Sequence, residues 1–168
     1  MVGGIFAGIV PFACGVLGAV IANLPISFTS GFLPPPLLAL MPMYFWCLVR
    51  PDLMRPWVAF ALGLVQDLLS GMPPGVWAAS FIAAYALLDR QRDSFAGLSG
   101  WGALLGFGVA AFVANLCAYL LVAMYFHLWP PIAPMLGLLL ITLVFYIPTV
   151  FVMGIIHRRF VGSARTIL

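Results

Sequence analysis

Residues 59–85 read AFALGLVQDLLSGMPPGVWAASFIAAY, and the reading of this stretch decides the fold. Two apolar runs flank the breaker Ser70-Gly71-Met72-Pro73-Pro74-Gly75, which predicts two antiparallel helices joined by a short turn. Within the first run lies Asp67, the one carboxylate embedded in an apolar run of this chain. A charge in hydrocarbon costs at least ~2.5–3.5 kcal/mol, so such a residue faces protein or a cavity. At about 100° per residue, Ala59, Gly63, Gln66, Asp67 and Ser70 share an arc of roughly 100°. Leu64, Val65, Leu68 and Leu69 occupy the other side. The polar residues thus share a face with small ones, and small residues mark close helix packing in membranes. Asp67 is expected to point into protein.

The rest of the chain is of the same kind. Its 168 residues are 65% hydrophobic and 7% charged, with a mean hydropathy of +1.19. So few charges and such long apolar runs predict transmembrane helices. Six helices are expected, over about 5–24, 33–49, 56–70, 75–88, 101–126 and 132–156. Six spans of ~20 residues need about 120 residues, so the fold class expected is a single all-α membrane domain of six transmembrane helices. Pro34-Pro35-Pro36 suits the first turn of the second helix, with Pro42 a kink inside it. The fourth helix has Gly75, Ala79, Ala83 and Ala86 on one face, a surface for close approach. The five tryptophans, Trp46, Trp57, Trp77, Trp101 and Trp129, fall mostly near helix ends, where interface anchors sit.

The net charge of +3 comes from seven arginines and no lysine, at positions 50, 55, 90, 92, 158, 159 and 165. If both termini are cytoplasmic, all seven lie on the cytoplasmic side. This predicts a multi-pass membrane protein, N-in and C-in, and no nucleic-acid footprint. Near the surface the arginines would also attract anionic headgroups of the lipid bilayer, at ~1 kcal/mol each. The N-terminal MVGGIFAG has no basic n-region, so the first helix is expected to be retained. On this topology no arginine is near Asp67. It is therefore expected to act through hydrogen bonds, to Ser70, Asn115 or backbone, with asparagine an acceptable substitute.

Catalytic constellations are not expected. Asp67 has no second intramembrane carboxylate, the serines lack a nearby base, and no phosphate loop or HExxH is present. Cys14, Cys47 and Cys117 lie singly in different apolar runs, and His127 and His157 are at helix ends on opposite sides, so no metal or cofactor is expected.

The run Gly63-Leu64-Val65-Gln66-Asp67-Leu68-Leu69-Ser70-Gly71, with its proline-containing turn and Gly75, resembles the signature of the MreD family of bacterial rod shape-determining membrane proteins. Pro35-Pro36-Leu37-Leu38 followed by Tyr44 is similar to that family's second-helix region. Elsewhere the likeness is one of length, helix spacing and a short basic tail. The resemblance implies a non-enzymatic subunit of the cell-wall elongation machinery, in the bacterial inner membrane, that pairs with the bitopic protein MreC. It would work alongside the actin-like MreB, the glycosyltransferase RodA and a class B penicillin-binding protein, and bear on peptidoglycan synthesis. It also implies a fold similar to the S components of energy-coupling-factor transporters. Candidate structural or partner-docking residues are Gly63, Gln66, Asp67, Ser70, Gly71, Gly75 and Asn115. The alternative is a true S component that captures a small molecule for import, with Asn23, Gln66, Asp67 and Asn115 lining an outward cavity.

Overall fold

Prolines, glycines and charges interrupt the apolar runs, and the helices end at those interruptions. The computed structural model describes residues 2–24, 34–91 and 101–157. Among the described residues there are six helices and no strand: α1 (Val2–Ala22), α2 (Leu40–Val49), α3 (Pro56–Ser70), α4 (Val76–Arg90), α5 (Trp101–Phe126) and α6 (Ile132–Ile156). The segments 25–33 and 92–100 and the tail with the arginines at 158, 159 and 165 lie outside the described residues, as does the arginine at 92.

α2 departs most from expectation, beginning at Leu40 instead of near residue 33. Three consecutive prolines lack N–H donors, and each disfavours helical geometry in the residue before it. Residues 34–37 therefore form no regular structure. The Leu37 N–H instead donates to Thr142 Oγ1 on α6 at 3.1 Å. Pro42 then falls in the first turn of α2, where its missing N–H has no intrahelical partner to lose, and not inside a longer helix as the sequence suggested.

The shortened α2 is the centre of the molecule. Leu40, Met41, Met43, Tyr44, Trp46 and Cys47 are all 0–1% exposed. A helix that is apolar all round has to be surrounded, and α2 touches α1, α4, α5 and α6. Tyr44 fixes one junction: its hydroxyl donates to the Ala103 carbonyl at 3.1 Å. Its ring stands edge-on to Phe107 and Tyr146, which stack on each other with centroids 4.1 Å apart. Such pairs add about 0.5–1.5 kcal/mol each beyond area burial.

α3 and α4 form the most extensive pair, and α4 packs in turn along α5. The α4 face buried inside the chain carries Ala78, Phe81, Ala84 and Leu88. The expected close-approach face points the other way, with Ala79 and Ala86 exposed and Ala83 half-buried. Helix α6 leaves much of its length uncovered, including Leu140, Val144, Ile147, Phe151 and Ile155. Two helices, α5 and α6, are long and apolar enough to cross a membrane. By contrast α2, α3 and α4 have 10, 15 and 15 residues. They rise only about 15–22 Å against ~30 Å of hydrocarbon.

Candidate functional site

Asp67 is 1% exposed and faces the start of α4. Its Oδ1 accepts the Trp77 N–H at 2.8 Å, and its Oδ2 accepts the N–H groups of Gly75 at 2.8 Å and Ala78 at 3.2 Å. The first N–H groups of a helix have no partner within the helix. Ordinarily the N-cap residue's own side chain serves one of them. Here the N-cap is Gly75, which has no side chain, and the preceding helix supplies the carboxylate.

Local sequence makes this reach possible. Gly71 at φ 65° and Gly75 at φ 105° reverse the chain in left-handed conformations that side chains disfavour. One turn before Asp67, Gly63 lets the two backbones touch. A Cβ at that position would stand 2.7 Å from the Ala78 nitrogen and the Trp77 carbonyl oxygen, and closer still to the Ala78 Cα. Three backbone N–H groups at the start of α4 thus satisfy both oxygens of the buried carboxyl group.

Neither Ser70 nor Asn115 bonds the Asp67 carboxylate. The Ser70 hydroxyl donates to the Gln66 carbonyl at 2.7 Å and, at 3.4 Å, to the Asp67 backbone carbonyl, and Asn115 Nδ2 donates to the Met135 carbonyl at 3.0 Å, joining α5 to α6. Backbone is the partner. Both carboxylate oxygens accept, so an asparagine at this position would turn its NH2 toward one of these N–H groups.

Gln66, 3% exposed, lies beside Asp67 but faces a cavity of about 380 Å³. Ser70 and Trp77 from the hairpin, Asn115 and Tyr119 from α5, and Asn23 at the end of α1 also line it. It opens at the end of the bundle where α1 and α3 finish, α4 begins and the α5–α6 turn lies. Of the four residues expected around a small-molecule cavity, Asn23, Gln66 and Asn115 line this one and Asp67 is not among the lining residues. Gln66 Oε1 and Trp77 Nε1, atoms of two lining residues, are themselves fully buried and have no hydrogen-bond partner among the described residues.

Trp77 is the wall residue that sequence reasoning misplaced. It is 6% exposed and Trp46 is 0% exposed, whereas Trp57 and Trp129 are exposed as interface anchors would be. The available signal was its position directly after the breaker, two residues past Gly75, where a packed hairpin turns inward. The side chain of Trp101 lies outside the described residues.

A second cavity of about 340 Å³ separates α1 from α6, with Leu38 and Pro42 also lining it. Its walls are apolar, with Leu17, Phe145 and Val152 prominent. In the α2–α3 turn, Arg50 donates from Nε to Asp52 Oδ1 at 2.9 Å and from Nη2 to Oδ2 at 2.8 Å. This pairing holds the Asp52 carboxyl below the usual carboxylate range. The pair is exposed, and solvent screens it.

Among the described residues no three His, Cys, Asp or Glu side chains are grouped to hold a metal. A carboxylate offers about four acceptor sites, and three on Asp67 are taken by α4. The hairpin is built for holding backbone in place. Comparison of the chain with family models, with characterised proteins and with solved structures returns no match.

Proposed function

We propose that the chain is a non-enzymatic membrane subunit that holds a partner's transmembrane helix, in the manner of the MreD-like proteins that its hairpin motif resembles. In this reading it is a six-span inner-membrane component of the cell-wall elongation machinery, with MreC as direct partner and MreB, RodA and a class B penicillin-binding protein in the wider assembly. The observation that carries the reading is the outward face of α4. Ala79 and Ala86 are exposed and Ala83 half-buried, at helical spacing, on a helix whose opposite face is packed against the bundle.

Helices in lipid gain little from hydrophobic burial and associate through close backbone approach at small residues. A docking face also has to be presented in a fixed orientation, and Asp67 fixes α4 to α3. The short α3–α4 hairpin fits a bilayer when the membrane thins or a partner covers its turn.

The test is copurification from cells carrying the full chain. Ala83→Leu places a large side chain on the proposed face and should abolish recovery of MreC at unchanged protein level. Val152→Phe, in the α1–α6 cavity, should leave it intact. If wild-type protein recovers no MreC, the reading fails. Loss of MreC with Val152→Phe alone would move the docking surface to α1 and α6.

A further inference from the structure

We infer that the chain thins the bilayer beside its α3–α4 hairpin: the leaflet at the 71–75 turn dips by roughly 10 Å, while the α5–α6 turn stays anchored among the headgroups. The inference rests on the reading that all six helices lie in a bilayer. It needs neither the partner nor the sidedness of that reading.

The first observation is a difference in height. α3 and α5 run toward the same end of the bundle. Gln66 and Ser70 of α3 line one cavity with Asn115 and Tyr119 of α5, so the two pairs stand at a common level. From that level α3 goes no further, ending at Ser70, whereas α5 continues seven residues past Tyr119 to Phe126. Seven residues of helix rise roughly 10 Å. The α5–α6 turn therefore overhangs the α3–α4 turn.

The second is the chemistry of the overhang. Tyr125, Phe126, Leu128, Trp129 and Ile132 are 54–76% exposed. No Asp, Glu, Lys or Arg occurs anywhere in residues 94–157. A contiguous apolar surface of this kind does not ordinarily stand clear in water, and tyrosine and tryptophan rings gather at the headgroup level. The overhang also joins the two helices that are long and apolar enough to cross a membrane. It marks the headgroup level at this end.

The third is what a flat leaflet would then do to the hairpin. It would put the 71–75 turn at hydrocarbon depth, with Gly71 and Pro74 exposed to lipid. The last carbonyls of α3 have no partner within their helix, and irregular backbone facing lipid is not tolerated at that depth. Shifting the chain outward does not help, because Arg55, Asp89 and Arg90, exposed at the other end of the hairpin, would be drawn into hydrocarbon. Lipid is the component that yields: a bilayer thins around a short apolar stretch at a modest cost per ångström.

Spin-label depth measurements test this on the full chain, alone in phosphatidylcholine nanodiscs and with its native cysteines replaced. Pro74→Cys puts a label in the α3–α4 turn and Leu128→Cys puts one in the overhang. Leu120→Cys puts one on the exposed face of α5, at nearly the height of the α3–α4 turn. Relaxation by a water-soluble nickel chelate, set against relaxation by oxygen, reads the depth of each. Positions 74 and 128 should both read at headgroup level, and position 120 roughly 9 Å deeper. Leu68→Cys against Leu116→Cys repeats the comparison lower on the two helices if the turn variant does not fold, and position 68 should read the shallower.

Equal depths at 74 and 120, whether in hydrocarbon or among headgroups, would mean a flat leaflet and overturn the inference while the membrane reading stands. Fully aqueous readings at 74, 120 and 128 would overturn both. No MreC is present in the nanodisc, so failure here and failure of the docking reading are separable.

Discussion

Asp67 solves a problem that its own position creates. It lies at 1% exposure with no arginine bonded to it among the described residues, and the start of α4 supplies three N–H donors. Removing it should therefore act on stability. Asp67→Ala leaves the N-terminal donors of α4 unsatisfied, at ~1–3 kcal/mol for each buried group that finds no water. Asp67→Asn retains one acceptor oxygen but turns an NH2 toward an N–H, so it should fall between alanine and wild type. Thermal unfolding in detergent would order the three. An asparagine variant as stable as wild type would show that one oxygen is enough. That Asp67 faces inward was legible in the sequence, because Gln66, Asp67 and Ser70 share an arc with Ala59 and Gly63. Its partners were not. They lie on the next helix, and whether Gly75, Trp77 and Ala78 come within reach depends on two left-handed glycines and on how closely the helices approach.

Among the elements, the α3–α4 hairpin is the most extensively packed pair, and Gly63 sets its spacing. Gly63→Ala drives a methyl group into the backbone of α4 near Ala78, where no flexible side chain can give way. Overpacking of this kind costs ~1–3 kcal/mol. Leu68, 81% exposed on the other side of α3, is the control. Leu68→Phe should stay within about 0.5 kcal/mol. Equal loss of unfolding midpoint in the two variants would show that α3 is rotated from the orientation described. Two elements were misread for reasons that belong to their residues. Pro34-Pro35-Pro36 can each be read as a helix start, yet a run of them forces the residues before each proline out of helical geometry. The Leu37 N–H bond to Thr142 then fixes the extended segment, a contact 105 residues away in sequence. On α4, alanine is equally at home buried or exposed, so the small residues could not say whether Ala78 or Ala79 faced the bundle.

At the scale of the molecule, the alternating helices place the turns at 71–75 and 127–131 around one cavity and the Arg50–Asp52 turn at the opposite end. On the proposed topology, which rests on the arginine distribution in the sequence, the Arg50 end is cytoplasmic. Single cysteines at positions 52 and 128, in a chain with its native cysteines replaced, should label from opposite sides of the membrane, with 128 reached from outside. Labelling of position 52 from outside would reverse the topology. The general class was legible because composition alone demands an all-helical, apolar chain. Span number was less so, since α2, α3 and α4 are short and their fit to a bilayer depends on what covers them. What covers α4 is the central matter. A photo-crosslinking amino acid placed at position 83 in living cells tests it most directly. The account predicts a crosslink to the transmembrane helix of MreC, lost when the same probe is moved to position 155 on the exposed face of α6. Crosslinks from position 83 to lipid alone, or to MreC equally from both positions, would contradict it.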